Sequence, residues 1–415
     1  MYEVDLGTMM STAHGHAAAA SAPGLERQHN AVLTQIDMSC TSDVALALPA
    51  QHYVSTSDAC NIECHYCPRQ SYYGDRWENG FLPVEAFREK LGPLARAAQL
   101  FGLYGLGEPF LHRDFFEFVR VVKEAGAMAL TNCHGMSLRP KVNEHIIASG
   151  LDRLNVSMDG ATEETFNLLR EKADLETVKR QVKDLVARRD AAGRMAPVVY
   201  LAAMINAENI GELPEMVRMA KELGAEQIDF SDTVICNPED LESSVSGLPI
   251  MWEKIDEAKA LGRELGVRVE YSLQKPFPWR PIPPAEQAEP CPQVCELAWG
   301  TWLVGKRGEV KPCCFIEWEY GNAFTDEPQR IQNGPEAREL RRRLMSGDIP
   351  RECRGCGCAQ PLTERHQRQA LDRAEELLQA TEMSEAERAR LREIIAGRRA
   401  LVDARWGHTA AHVPA

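Results

Sequence analysis

The sequence predicts an α/β fold in which a parallel sheet with flanking helices is followed by a small cysteine-rich domain and then by further helices. Three observations support this prediction. Short apolar segments alternate with longer amphipathic ones between residues 48 and 275, residues 273–290 contain six prolines, and ten of the thirteen cysteines fall into two groups, at 60–67 and 291–358. A repeated strand–helix alternation is typical of parallel sheets with right-handed crossovers.

Six apolar segments are predicted as strands because they are short and lie between amphipathic helical patterns. They are QHYVST (51–56), QLFGLYG (99–105), AMALTN (127–132), RLNVSM (153–158), VVYLAAM (198–204) and QIDFSD (227–232). Helices are predicted between them, for example over 113–126 and 210–224, where each pattern ends in glycine. The sheet is therefore expected to occupy residues 48–275.

The regions around the predicted sheet are assigned from composition. Residues 1–47 are expected to form a flexible leader, and residues 276–360, with the second cysteine group, a separate small domain after the proline-rich boundary. Two exposed helices are expected over 361–406, with a capping box at 384–387, and a frayed tail over 407–415.

Charge and cysteine content restrict the function. The formal net charge of −14 argues against a general nucleic-acid or anionic membrane surface, and no apolar run is long enough to span a membrane. The N-terminal residues lack the pattern of a secretory signal. We therefore expect a cytoplasmic protein, in which clustered cysteines indicate metal binding more often than disulfides.

The first cysteine group has a spacing suited to an iron–sulfur cluster. Cys60, Cys64 and Cys67 lie within eight residues, and no fourth cysteine follows closely. Spacings of two or three residues let one loop bind several irons, whereas a zinc site usually completes four protein ligands. Three thiolates on a four-iron cluster leave one iron open, and an open iron can bind a small molecule.

The spacing Cys-x3-Cys-x2-Cys, with Tyr66 before the last cysteine, resembles the signature of the radical SAM superfamily. In that family the loop follows the first strand of a partial (β/α)6 barrel, as it follows 51–56 here. The resemblance implies that S-adenosylmethionine (SAM) chelates the open iron of the [4Fe-4S] cluster and is cleaved by one electron to a 5′-deoxyadenosyl radical. It also implies a reducing partner such as flavodoxin or ferredoxin.

The residues after the later strands also resemble motifs of this family. GLGEP (105–109) is similar to its Gly-Gly-Glu-Pro motif, TNCHG (131–135) to its Thr-Asn-Gly and SMDG (157–160) to its Ser-x-Asp-Gly; Leu106 and Cys133 replace glycines. The active site of such barrels lies at the C-terminal ends of the strands. The resemblance therefore implies SAM contacts from Tyr66, Gly105, Gly107, Glu108, Ser157, Arg170 and Asn206.

The second cysteine group resembles the SPASM/twitch extension of radical SAM enzymes. Cys295 and Cys313 have the form Cys-x12-Gly-x4-Cys, and Cys353 and Cys356 follow as Cys-x2-Cys. These four residues are predicted to bind one auxiliary [4Fe-4S] cluster, which corresponds to the shorter, twitch form. A zinc ribbon is the alternative on spacing alone. The neighbouring Cys291, Cys314 and Cys358 could replace one of these ligands.

The reaction is predicted to be a dehydrogenation of a small polar natural-product intermediate such as a sugar, aminosugar or aminocyclitol. A fully cysteine-ligated auxiliary cluster suits the removal of an electron from a substrate radical. Similar enzymes include epimerases and deoxygenases or dehydratases of the same substrates, and maturases of ribosomal peptides. We expect the short, unpatterned N-terminus to disfavour a peptide substrate, and the SAM motifs to disfavour a non-catalytic electron carrier. An epimerase would need a hydrogen donor, for which the candidates are Cys133, Cys236, Cys291, Cys314 and Cys358.

Overall fold

The computed structural model describes residues 22–234, 237–272, 291–354 and 356–407. Its centre is a ten-stranded sheet in the order β13-β12-β11-β1-β3-β4-β5-β7-β8-β9, and β2 pairs with β6 and β10 with β14 in two small sheets. The strands are β1 (Gln51–Val54), β2 (Glu63–Cys64), β3 (Leu100–Gly102), β4 (Met128–Cys133), β5 (Arg153–Ser157), β6 (Arg170–Glu171), β7 (Val198–Ile205), β8 (Gln227–Asp232), β9 (Arg268–Ser272), β10 (Gln293–Val294), β11 (Thr301–Val304), β12 (Glu309–Lys311), β13 (Gly321–Asn322) and β14 (Gln360–Pro361).

Helices connect the parallel strands and form the C-terminal part of the chain. They are α1 (Ala22–Met38), α2 (Val84–Ala86), α3 (Phe115–Glu124), α4 (Pro140–Ser149), α5 (Glu163–Leu169), α6 (Leu175–Ala191), α7 (Leu213–Leu223), α8 (Pro249–Leu265), α9 (Leu297–Gly300), α10 (Pro328–Gln332), α11 (Pro335–Ser346), α12 (Glu364–Ala380) and α13 (Glu385–Trp406). Helix α7 ends at Gly224, whose φ of 74° is in the left-handed region that glycine adopts without strain.

All six predicted strands are present, and neighbouring members of the series β1-β3-β4-β5-β7-β8 pair in parallel. A further parallel strand, β9, pairs with β8 and was not predicted. Its sequence RVEYS contains two charged residues, and none of its side chains is fully buried. An edge strand of this kind lacks the apolar run that identifies a buried strand.

The two faces of the sheet differ in burial. In β7 the side chains of Val199, Leu201, Ala203 and Ile205 are buried in the core, where they pack with residues of α6 and α7, and the alternate residues are half-buried. This alternation follows from the two-residue period of a strand. We call the face opposite these helices the inner face; the predicted site residues at the strand ends lie next to it.

The cysteine-rich region continues the main sheet. Strand β11 pairs in parallel with β1, and β12 and β13 add to it as antiparallel strands. Trp299 and Trp302 are buried in the same core as the barrel residues. The region predicted as a separate domain over 276–360 therefore shares a sheet and a core with the barrel.

The N-terminal part also differs from its prediction. Within the predicted flexible leader 1–47, residues 22–38 form helix α1, while residues 1–21 lie outside the described part of the chain. Val32 and Ile36 of α1 are buried in a second apolar cluster with residues of α12 and α13. The helix was missed because its apolar residues are covered by the distant C-terminal helices. This corrects the prediction of a leader without regular structure for residues 22–38.

Candidate active site

The loop of Cys60, Cys64 and Cys67 follows β1 and is fastened to the barrel by backbone hydrogen bonds. Cys64 in β2 pairs with Arg170 in β6, and the N–H of His65 donates to the carbonyl of Leu169 at 3.0 Å. The carbonyl of Cys67 accepts from the N–H groups of the residues three and four positions later. The loop therefore begins a helical turn at its last cysteine.

A cavity of about 250 Å³ lies between this loop and the C-terminal ends of the strands. It brings together Cys60, Cys64, Cys67 and all seven residues for which a SAM contact was predicted, and Cys133 also lines it. Those seven residues are Tyr66, Gly105, Gly107, Glu108, Ser157, Arg170 and Asn206. The motifs that follow separate strands in the sequence thus meet at one edge of the sheet.

Gly105 and Gly107 are needed because the loop after β1 passes directly over them. A Cβ atom on Gly107 would lie 2.3 Å from the carbonyl oxygen of Ser57, and one on Gly105 would lie 2.0 Å from the Oγ of Ser55. The intervening Leu106, where the family motif has glycine, is 37% exposed and therefore has room for its side chain. The substitution at 106 is compatible with this turn.

Glu108 is a buried carboxyl whose two oxygens have different surroundings. Its Oε2 accepts from the backbone N–H of His134 at 3.0 Å, whereas its Oε1 has no hydrogen-bond partner among the described residues. Burial raises the pKa of Glu108 to about 7, although hydrogen bonds from the N–H of His134, the hydroxyl of Ser137 and the N–H of Phe110 oppose the rise. A bound cation would compensate this buried group, so Oε1 suits an ammonium ligand.

His134 was not predicted as a site residue, and it joins Glu108 to the cysteine loop. Its Nδ1 accepts from the N–H of Met136 at 3.0 Å, so the proton is assigned to Nε2. Nε2 lies 2.9 Å from Oδ1 of Asn61 and 3.3 Å from Oε2 of Glu108. Burial lowers the pKa of His134 to about 3, so it is neutral at pH 7. Its position directly after Cys133 at a strand end was the available sequence signal.

Arg170 lies against the cysteine loop and is paired within the site. Its Nη2 is 2.7 Å from Oδ2 of Asp159, and its Nη1 is 3.7 Å from Sγ of Cys64. Burial raises the pKa of Cys64 to about 11, and the positive charge of Arg170 counteracts this. Because a thiol must lose its proton to bind iron, Arg170 favours the ligating form of Cys64. Asp159 was not predicted as a site residue.

The polar groups of Tyr66 and Asn206 are already hydrogen-bonded to the protein. The hydroxyl of Tyr66 donates to Oε1 of Glu208 at 3.1 Å. Asn206 donates through Nδ2 to Oγ1 of Thr233 at 3.3 Å, and its Oδ1 accepts from the N–H of Asn209 at 3.2 Å. Both side chains line the cavity. We therefore expect Tyr66 to contact a ligand in the cavity through its ring, and Asn206 to contribute to the shape of the cavity wall.

The auxiliary cysteines come together beside β11 and β12. Burial, and then the nearby thiols of Cys313, Cys356 and Cys353, raise the pKa of Cys295 above its ordinary value. The N–H of Cys356 donates to the carbonyl of Cys353 at 3.2 Å. Cys358, which was predicted as a substitute ligand and as a candidate hydrogen donor, forms a side-chain hydrogen bond with Cys356 that raises its pKa. Burial, and then the nearby Cys313 and Cys356, also raise the pKa of Cys314, so the structure groups six thiols.

The hydrogen-donor candidates are placed differently. Cys133 is buried at the cavity, Cys291 is exposed, and Cys236 lies outside the described residues. Cys314 follows the predicted ligand Cys313 and lies close enough to Tyr104, the half-buried neighbour of Gly105, to influence its pKa. Among the donor candidates in the described part of the chain, Cys133 is the one that borders the cavity between the cysteine loop and the strand ends.

Comparison with protein families identifies the class of this protein. Residues 54–220 match the family model described as the Radical SAM superfamily, and residues 295–357 match the model described as an iron-sulfur cluster-binding domain, SPASM. The chain belongs to the radical SAM superfamily and carries a C-terminal SPASM domain. The family prediction made from the cysteine spacing and strand-end motifs is confirmed.

Individual relatives are distant. The chain is 26% identical over 210 residues to the tungsten-containing aldehyde ferredoxin oxidoreductase cofactor-modifying protein of Pyrococcus furiosus, which covers 48% of this chain and 58% of the relative. It is 26% identical over 176 residues to a probable GTP 3′,8-cyclase of Methanocaldococcus jannaschii, which covers 41% and 55%. The chain thus spans about half the length of the curated relatives it matches.

A solved structure supports the fold. Streptococcus suis SuiB bound to precursor peptide SuiA superposes with a TM-score of 0.55 and 13% identity, covering 74% of this chain and 72% of SuiB. At this identity the likeness shows the fold alone, and it confirms the predicted α/β radical SAM architecture.

The residues present fit the cofactors of this family, a SAM-binding [4Fe-4S] cluster and auxiliary iron–sulfur binding. Three thiols border one cavity. The Oε1 atom of Glu108, which has no hydrogen-bond partner among the described residues, could accept a hydrogen bond from an ammonium group. In the described residues no three His, Cys, Asp or Glu side chains close around a single metal ion. None of the helices in the described ranges is both long enough and apolar enough to cross a membrane.

Proposed function

We propose that this radical SAM enzyme removes hydrogen from a small polar molecule and oxidises it, as a dehydrogenase of an alcohol- or amine-bearing carbon. The observation that carries the proposal is a row of polar side chains that β4 and β5 place on the inner face beside the cavity. Asn132 and Ser157 line the cavity from β4 and β5, and the inner face continues with Asn155 and Arg153. Such a wall suits a hydrophilic substrate, because polar side chains can replace its hydration shell.

The residues of the chain have distinct roles in this proposal. Cys60, Cys64 and Cys67 hold the cluster, which with SAM supplies a 5′-deoxyadenosyl radical when bound. Glu108 accepts hydrogen bonds from the SAM ammonium through Oε1, while His134 keeps Oε2 in place. Arg170, already paired with Asp159, presents positive charge to Cys64 and to the carboxylate of SAM. Gly105, Gly107, Ser157, Tyr66 and Asn206 shape the remainder of the pocket.

The auxiliary cysteines account for the oxidation. Complete ligation by Cys295, Cys313, Cys353 and Cys356 would leave no coordination site for a substrate, and the cluster held by these residues would then serve as an electron acceptor. The shared sheet between β1 and β11 brings this region next to the barrel. An electron can therefore leave the substrate radical toward it, and a base or solvent takes the proton.

Deuterium labelling tests the reaction type. The reconstituted enzyme is given polyols, aminosugars and aminocyclitols deuterated at each candidate carbon. Dehydrogenation should transfer deuterium to 5′-deoxyadenosine, lower the product mass by two hydrogens in unlabelled substrate, and add no solvent hydrogen at that carbon. Incorporation of solvent deuterium there, lost in Cys133→Ala or another single cysteine variant, would replace the dehydrogenase proposal by an epimerase.

Peptide maturation is the second candidate, favoured by an open cavity of about 530 Å³ beside the cysteine loop. Cys60 lines both this open cavity and the cavity at the strand ends described above. The open cavity is also lined by Glu63, Arg69 and Lys172. SuiB, which shares the fold, was solved with a precursor peptide. Stimulation of SAM cleavage by candidate peptides and not by small polyols would favour this function over the first.

A further inference from the structure

Strand β5 presents a polar row to the inner face. Arg153, Asn155 and Ser157 alternate with Leu154 and Val156, and the two apolar side chains are fully buried in the core on the other side. Ser157 lines the cavity at the C-terminal end of the strand. Asn155 and Arg153 therefore lie progressively deeper along the same face.

Asn155 is a buried amide with an unused acceptor. Its side chain is 8% exposed, and its Nδ2 donates to Oδ1 of Asn132 at 2.8 Å. Its Oδ1 is buried and has no hydrogen-bond partner within the described ranges. Because Asn132 lines the cavity, Asn155 lies directly behind a cavity-lining side chain and is hydrogen-bonded to it. A buried carbonyl without a donor is costly, so a ligand that donates a hydrogen bond there would be stabilised.

Arg153 adds a positive charge close to Asn155 on the same face of the sheet. Its guanidinium lies over the ring of Tyr200, 5.1 Å from the centroid, and Tyr200 pairs with Asn155 across β5 and β7. Its Nε is buried without an acceptor in the part of the chain that the structure describes. Burial raises the pKa of Asp229, and Arg153 is near enough to oppose this rise without forming an ion pair with it in the described residues. The ring of Tyr200 orients a guanidinium whose hydrogen-bonding capacity remains available.

We propose that Arg153 and Asn155 form a subsite for the substrate in which Arg153 binds an anionic group, a carboxylate or a phosphate, and Asn155 accepts from a neighbouring hydroxyl or amine. Arginine binds both anions through paired hydrogen bonds, so the chemistry is common to the two. This inference deepens the proposed function: it narrows the substrate from a polar molecule to one that carries an anion beside a hydrogen-bond donor.

Anion binding to the SAM-loaded, cluster-reconstituted enzyme tests the subsite. Inorganic phosphate and succinate are titrated separately by calorimetry, with glycerol as the neutral probe. We expect at least one anion to bind, Arg153→Gln to weaken it by about tenfold or more, and Arg153→Lys to retain part of the affinity because it keeps the charge. Arg180→Gln, on an exposed part of helix α6, is the matched control and should leave anion binding unchanged.

A second variant protects the test against misfolding. Asn155→Asp adds negative charge beside Arg153 and should also reduce anion affinity, while iron content and SAM binding are measured in every variant. Binding of phosphate alone indicates a phosphorylated substrate, and binding of succinate alone a carboxylate. Absence of anion binding in the wild type, or unchanged affinity in Arg153→Gln, overturns the subsite. Failure of hydrogen transfer to 5′-deoxyadenosine with anion binding intact would instead contradict the proposed reaction.

Discussion

His134 shows how one side chain can couple two motifs that lie far apart in the sequence. It contacts Asn61 in the cysteine loop and Glu108 after β3, and its Nδ1 is used by the turn at Met136. The imidazole can therefore donate only through Nε2, toward the two oxygen atoms of the site. The orientation of Glu108 consequently depends on His134 of another motif segment, TNCHG, for which no contact with SAM was predicted.

Removing this donor should weaken SAM binding. His134→Phe keeps the ring volume but leaves Oε2 of Glu108 with the backbone N–H alone, so we expect a loss of about fivefold to tenfold in SAM affinity. His134→Gln should recover part of it, because its amide can donate to the same oxygens. Equilibrium binding of SAM to the reconstituted proteins measures the effect, with His145→Gln, at an exposed histidine of helix α4, as control. Equal affinities for wild type and His134→Phe would contradict this positioning role.

The residues predicted from motifs and those missed differ in what identifies them. Cys60, Glu108 and Ser157 belong to short linear patterns, and the structure places all three at one cavity. His134 and Asp159 also lie inside two of these patterns, TNCHG and SMDG, but their partners Glu108 and Arg170 come close only after folding. A sequence pattern records spacing along the chain, so it locates such residues without showing which side chains they contact.

At the scale of elements, Arg341 of helix α11 fastens the auxiliary region together. Its guanidinium is fully buried and donates to the carbonyl oxygens of Ala298 and Gln332, each at 2.9 Å, and of Asp43 at 3.1 Å. Gln332 in turn accepts from Nε1 of Trp302 in β11 at 2.9 Å. The network therefore links α11 to the strand that extends the barrel sheet.

Replacing Arg341 should destabilise the whole chain. Arg341→Met fills a similar volume but leaves three carbonyls without their donor, so we expect a loss of about 3–5 kcal/mol in the free energy of unfolding. The neighbouring Arg342→Met, at a half-exposed side chain, should change it by about 0.5 kcal/mol or less. Anaerobic urea unfolding of both variants measures the difference. Similar midpoints for the two would show that the buried network contributes little.

His52 in β1 gives the sheet a specific response to acid. It is fully buried beside Phe101 and Trp302, and burial lowers its pKa from 6.5 to about 3. Between these two values the unfolded chain binds more protons, so the contribution of His52 to stability falls as the pH decreases from 6.5 toward 3.

Removing the titrating ring should relieve this acid sensitivity. As the pH is lowered, the free energy of unfolding of His52→Phe should rise relative to that of the wild type, by up to about 1.4 kcal/mol per pH unit. The test compares the two proteins through the difference in their unfolding free energies at several pH values. Because His134 titrates in both proteins, its contribution cancels in that difference. A difference that stays constant from pH 7 to pH 4 would contradict it.

At the scale of the whole molecule, the barrel was predictable and its extension was not. Six strands of the main sheet were each predicted within a few residues from short apolar segments, namely β1, β3, β4, β5, β7 and β8. By contrast, the pairing of β1 with β11 joins positions 250 residues apart, such as Gln51 and Thr301. Proline-rich residues 273–290 indicated a domain boundary, but contacts formed beyond them restore one continuous core.

Iron content tests the two-centre arrangement. Two four-iron clusters predict about eight irons per chain after anaerobic reconstitution. The triple variant of Cys60, Cys64 and Cys67 to alanine should contain about half of this iron and keep the absorbance of the auxiliary cluster. Full iron content in that variant would show that the three thiols are not cluster ligands.

Single variants then separate the auxiliary ligands. Cys358→Ala should retain the auxiliary iron, whereas Cys353→Ala should lose it, because Cys353 is part of the predicted ligand set and Cys358 is outside it. Cys356→Ala is the decisive case, since Cys358 is hydrogen-bonded to Cys356 and can move into its place. Retention of iron in Cys356→Ala and its loss in the double variant with Cys358→Ala would show that either thiol can complete the cluster. Loss of iron in Cys358→Ala alone would instead make Cys358 the native ligand and contradict the assignment of Cys356.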